Sequence, residues 1–251
     1  MAFIKRFIQR GIAKRRLSSE EEIDRVKAVL TFADVGTERS LEQLIEGLED
    51  PSWNVRNACA MAIAQIYEKE PNNELITTLH NELENASLAK KLAIIETLGK
   101  IGNDNSLPIL KEYLQKSRAD LQYAIIIALS NWANLDLLPS LISVGDSKDY
   151  LTRRAALMSS YEIIADALPN STLQDFLPYF KWIVQIYVET GYLGPLILRF
   201  FDLDKTDLDT SIFPVPLNEY EFVLINELLD ESDFNPKRYE LFHEMAYPIM
   251  F

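Results

Sequence analysis

Residues 40–73, SLEQLIEGLEDPSWNVRNACAMAIAQIYEKEPNN, decide the fold, because three further stretches lie over them. These are ELITTLHNELENASLAKKLAIIETLGKIGNDN (74–105), SLPILKEYLQKSRADLQYAIIIALSNWANLD (106–136) and LLPSLISVGDSKDYLTRRAALMSSYEIIADALPN (137–170). Each holds two amphipathic helical runs around a short polar break, and no alternating strand pattern competes. The first runs end on Leu48, Leu83, Leu114 and Val144, which are 35, 31 and 30 residues apart. Seven residues after three of these, an apolar residue opens the second run: Val55, Leu121 and Leu151. In the second unit the corresponding Leu88 follows after only five. Breakers fall where runs join, at Asp50-Pro51, Pro71-Asn72-Asn73, Gly102-Asn103-Asp104-Asn105 and Gly145-Asp146.

A helical hairpin of about 30 residues cannot bury its own apolar face, and stacking on a neighbour does so. The second runs are rich in alanine (Ala58, Ala60, Ala62; Ala124, Ala128; Ala155, Ala156), which lets helices approach closely. The expected fold is therefore all-α, an α-solenoid over residues 18–168. It is flanked by a basic amphipathic segment, 1–17, and a helical, acidic C-terminal cap, 169–251.

LEDPSWNVRNACAMAIAQI, ETLGKIGNDNSLPILKEYL and DYLTRRAALMSSYEI resemble HEAT repeats, above all the short type of phycobilin-lyase-like proteins. In that type an acidic turn precedes Val-Arg, then small residues, then Leu-Gly-x-Ile-Gly. Leu98-Gly99-Lys100-Ile101-Gly102 is the best single match. The resemblance implies that Asp50 and Arg56 are mates in the link between neighbouring units. It covers about half the chain, and the second and third units depart from Val-Arg.

Composition narrows the chemistry. Residues 1–16 carry +6 and the remaining 235 carry −19. No apolar run approaches the roughly 18 residues of a membrane-spanning helix. One cysteine, Cys59, excludes an intrachain disulfide and multi-thiolate metal sites, and a cytoplasmic location is expected. The start, MAFIKRFIQRG, does not read as a secretory signal. HEAT-type di-iron hydroxylases resemble the architecture but need several His-Glu pairs, and this chain has only His243-Glu244. His80 has no neighbouring ligand pattern, and Asp202, Asp204, Asp207 and Asp209 lack calcium-loop spacing. No cofactor, metal or catalytic residue is expected, and enzymatic activity is left open. HEAT-like repeats also build alkyl-purine DNA glycosylases, but the acidic body argues against a nucleic-acid partner.

Two constellations stand out. Phe3, Lys5, Arg6, Phe7 and Arg10 belong to a basic amphipathic segment that either docks on an anionic membrane surface or a partner, packs on the first repeat, or targets the chain. The second is a row of cations at the starts of the second runs: Arg56, Lys90 and Lys91, Arg118, Arg153 and Arg154. With Tyr123 and Trp132 nearby, it reads either as a stripe for carboxylate- or phosphate-bearing partners or as an internal ion-pair ladder. The expected function is a non-enzymatic adaptor or assembly factor, holding a protein partner on its concave face. The alternative implied by the repeat type is binding of a linear tetrapyrrole through Arg153, Arg154 or the lysines.

Overall fold

The computed structural model describes residues 11–35, 38–132 and 134–190, and every regular element among them is helical. The calls on residues 1–10, including Phe3, Lys5, Arg6, Phe7 and Arg10, lie outside the described residues, as does all of 191–251. None of the described helices is long and apolar enough to cross a membrane.

The chain divides into two compact units, one of residues 1–132 with 147–155, the other of 133–146 with 156–251. In the first, residues 11–17 form α1, followed by α2 (Glu22–Val35), α3 (Glu38–Gly47), α4 (Trp53–Lys69), α5 (Asn73–Asn85), α6 (Leu88–Ile101), α7 (Leu107–Lys116) and α8 (Ala119–Leu129). The opening turns of α10 (Tyr150–Ala167) belong to this unit as well. The second unit holds α9 (Leu138–Ile142), the rest of α10, α11 (Leu173–Phe176) and α12 (Phe180–Thr190).

Local chemistry sets the helix ends. The Asn72 side chain accepts the Glu74 N–H, Ser87 accepts that of Lys90, and an Asp149 carboxylate oxygen accepts that of Thr152 at 2.7 Å. Each satisfies a donor that a helix start leaves orphaned. Pro108 and Pro139 sit in the first turns of α7 and α9, where a missing N–H costs nothing. Gly102 closes α6 in the left-handed region at φ 65°, its N–H bonded to the Leu98 carbonyl.

Within the first unit the second helices of successive hairpins, α2, α4, α6 and α8, pack side by side. They run parallel, so their N-termini share one edge. Glu22 of α2 accepts from Ser52 and Asn54 at the entrance to α4. The Thr152 hydroxyl of α10 reaches the Ala119 carbonyl of α8 at 3.5 Å. The helices α6 and α8 approach closely, so that a Cβ on Gly99 would lie 2.8 Å from Ala128 Cα. The Leu-Gly-x-Ile-Gly signature thus has a physical reading. Leu98 is core, Gly99 is the contact with the next helix, and Gly102 is the stop.

Leu48, Leu83, Leu114 and Val144 are all buried, as their periodicity predicts, and so is Val55. Leu88 and Leu151 are exposed, and Leu121 is half-buried. The slot of Val55 is filled in the later helices by Lys90 and Thr152, whose polar ends find partners at the helix edge. Counting apolar residues alone misplaces the register there. In the second unit Leu137, Leu138 and Leu141 form part of the core with Ile163, Ile164, Phe176 and Ile183, and Trp182 packs its ring against Gly145.

Candidate functional site

The cation row is a turn-holding device before it is a surface. Arg25, Arg56 and Arg153 occupy the same position on α2, α4 and α10, and each guanidinium donates to the carbonyl six residues back. The acceptors are Ser19 at 3.0 Å, Asp50 at 2.7 Å and Ser147 at 3.1 Å. Gln122, in that position on α8, donates to the Leu114 carbonyl instead. The Asp50 carboxylate does not pair with Arg56. It grips Arg25 of the preceding repeat with two bonds, 2.8 and 3.0 Å, and also accepts the Ser52 N–H. This fork pairing, with hydrogen-bonding to Asp50 the largest cause, raises the Arg25 pKa still further. The repeat-linking bridge is therefore Arg25–Asp50, one helix earlier than expected.

The remaining residues of the row separate into two groups. Lys90 lies between Glu82 at 2.8 Å and Glu49 at 3.8 Å and is largely covered. Arg153 also lies over the Tyr150 ring, 5.6 Å from its centroid. Lys91 is half-buried, and Arg118 and Arg154 are exposed. Tyr123 is exposed on α8, whereas Trp132 is buried and donates its indole N–H to Asp104 at 3.1 Å. Trp132 therefore belongs to the packing and presents no open face to a ligand.

The sequence reading missed a row of apolar side chains on the outward face of the second helices. Leu30 on α2, Met61 on α4 and Ile127 on α8 occupy equivalent positions and are 58%, 56% and 44% exposed. Glu96 holds that position on α6, paired with Lys100. A second line of exposed apolar residues follows the N-terminal edge, with Ile23, Trp53, Leu88 and Tyr150. The signal in the sequence was Ile125-Ile126-Ile127. Successive helical residues are about 100° apart, so three cannot all face one core, and Ile127 is turned out. Leu30 and Met61 stand on neighbouring helices, and Ile127 lies one helix beyond the interruption at Glu96.

Reactive side chains are held away from such a role. Cys59 is fully buried beneath Gly47, and burial pushes its thiol up to about 12, so it stays protonated. Among the described residues no three His, Cys, Asp or Glu side chains come together to hold a metal ion. The His80 ring meets the buried Ser106 hydroxyl at 3.1 Å, and His243-Glu244 lies outside the described residues. The described residues do not fit a di-iron centre.

His80 does carry a pH signature. Burial lowers its pKa, so the unfolded chain, titrating near 6.5, takes up the proton first. Its contribution to stability is complete above about pH 6.5 and is lost as pH falls through the lower folded value. Thermal melts should show the wild type losing its advantage over His80→Gln between about pH 7.5 and 5.5.

The repeats match the HEAT repeat family over residues 11–82, 41–123 and 76–162, and the chain belongs to that family. It is also similar to proteins named deoxyhypusine hydroxylase. That of Candida albicans is 29% identical over 106 residues, covering 42% of this chain and 33% of that protein. Those of Drosophila melanogaster and Schizosaccharomyces pombe are each 29% identical, over 106 and 105 residues, covering 42% of this chain and 34% and 32% of theirs. The chain thus spans about a third of the length of the curated relatives it matches. These relatives overturn the expectation of a non-enzymatic adaptor, because they point to an enzyme built on HEAT repeats, and the family match is to HEAT repeats in general rather than to the phycobilin-lyase-like type.

Proposed function

We propose that this chain is the repeat body of a protein related to the deoxyhypusine hydroxylases, and that it holds a polypeptide across the second helices of its first unit. The observation that carries the reading is the row Leu30, Met61 and Ile127, in equivalent positions and each about half exposed or more. Neighbouring packed helices lie 8–10 Å apart, so an extended chain meets Leu30 and Met61 about three residues apart and Ile127, beyond Glu96 of α6, about six residues further on. A small ligand would want a closed apolar cavity. The cleft lined by Glu49, Glu82, Asn85 and Lys90 is instead polar, with Lys90 already engaged by Glu49 and Glu82.

The test uses fluorescent peptides that share leucine and phenylalanine anchors and differ between them, with acidic, neutral or basic residues; a deoxyhypusine-bearing peptide completes the panel. Burying one such anchor contributes about 1.5–3 kcal/mol. The triple variant Leu30→Asp, Met61→Asp, Ile127→Asp should therefore weaken the bound peptide about a hundredfold, with helix content by circular dichroism unchanged. If no peptide binds, or if the triple variant binds equally well, the reading is wrong.

A further inference from the structure

The N-terminal edge of the second helices changes charge along its length: α2 opens with Glu22 and Asp24, whereas α6, α8 and α10 open beside cations. The whole chain carries −13. Along this edge stand Lys91, Arg118, Lys148 and Arg154, the last three exposed. The acids beside them are mostly engaged. Asp50 is forked to Arg25, Glu49 and Glu82 face Lys90, and Asp149 caps α10 through the Thr152 N–H. That cap bond is the largest cause of its lowered pKa. Asp120 in the first turn of α8 and Asp146 just before Lys148 are the acids left exposed here. The aligned helix starts add partial positive charge to the same line, and α4 and α6 carry no acid in their first turns to offset it. Between the cations stand Trp53, Leu88 and Tyr150, 62%, 51% and 58% exposed.

Resting on the polypeptide-holding reading above, we infer that the polypeptide is acidic, with apolar side chains set between its carboxylates, and that it lies between the Leu30, Met61 and Ile127 row and this N-terminal edge, about two helical turns away. Charge complementarity selects it. A basic segment would meet the cations and helix N-termini head-on, and a neutral one would leave them unanswered. Trp53, Leu88 and Tyr150 supply the apolar contacts, while Arg118, Lys148 and Arg154 take carboxylates from either side. Four stacked helices span about 30 Å, so about nine extended residues cover the edge. A nucleic acid would also answer positive charge, but the exposed Asp120 and Asp146 interrupt the cations, which suits carboxylates spaced by apolar residues and not a continuous phosphate backbone.

The peptide panel, applied to the full chain, decides it. The acidic peptide should bind at least tenfold more tightly than the basic one, and its affinity should fall as salt rises. Arg118→Ala, Lys148→Ala and Arg154→Ala together should cost the acidic peptide about tenfold and leave the neutral peptide unchanged. Equal or tighter binding of the basic peptide would overturn the inference. The polypeptide-holding reading would survive that result if the Leu30, Met61 and Ile127 substitutions still abolished binding. Loss of sensitivity to that row would instead sink the reading itself. Self-association of the chain that vanishes with the three alanine substitutions would assign the acidic polypeptide to residues 202–251 of a second copy, which hold 12 acids and 3 cations. Preference for a single-stranded oligonucleotide over the acidic peptide would overturn the inference in favour of nucleic acid.

Discussion

Gly99→Val will destabilise the protein by about 3 kcal/mol, the upper end of what overpacking a core costs. The reason is what surrounds the missing side chain. A Cβ at Gly99 meets Ala128 Cα and Cβ, both at 2.8 Å, and the Ala128 carbonyl at 3.3 Å. Two of those atoms are backbone, so no rotamer change relieves the contact, and α6 and α8 must move apart. Both helices are lined there by fully buried Leu98, Ile94, Ile125 and Leu129, which lose packing when the gap opens. The melting temperature should drop by roughly 6–12 °C for a chain of this size. Ala128→Gly costs about 1 kcal/mol alone but should recover part of the loss when combined with Gly99→Val. Strict additivity of the two in thermal or urea unfolding would show that α6 and α8 do not meet at that point.

The second large effect is expected at Asp50→Ala. Its carboxylate receives both side-chain bonds of the Arg25 fork, and one of its oxygens also receives the Ser52 N–H as the chain turns into α4. The two side chains are only 13% and 11% exposed. Removing one partner from a fully enclosed pair costs 3–5 kcal/mol. Here water still reaches both ends and Arg25 keeps the Ser19 and Glu20 carbonyls, so about 2 kcal/mol is expected. Arg56→Ala should cost less, since Arg56 holds only the carbonyls of Asp50 and Pro51 at its own turn. If the two substitutions cost the same in urea unfolding, the repeat link is not where it is placed here.

These two sites show how far the sequence could be read. The repeat period was legible because Leu48, Leu83, Leu114 and Val144 are obligatory core positions, and spacing alone finds such residues. The mate of Asp50 was not legible. Arg25 and Arg56 are 25 and 6 positions away, both suit the chemistry, and only the stacking of α2 on α4 chooses Arg25. The register of the second helices was obscured where Lys90 and Thr152 fill slots that elsewhere take an apolar residue. Of the candidate site, Tyr123, Arg118 and Arg154 stand on the surface as a count of charges and aromatics suggests. Trp132 looked equivalent to Tyr123 in sequence, yet its place at the end of α8 turns it inward onto Asp104. The exposed row Leu30, Met61 and Ile127 escaped notice because apolar residues in an amphipathic helix are read by default as core.

The central claim is that a polypeptide lies on the second helices, and photocrosslinking tests it most directly. A benzophenone side chain would replace Met61 or Ile127 on that face, or Glu112 on α7, and each protein would be irradiated with the acidic peptide bound. The account predicts covalent peptide capture at positions 61 and 127 and none above background at 112. Capture at 112 equal to or exceeding that at the other two would contradict it.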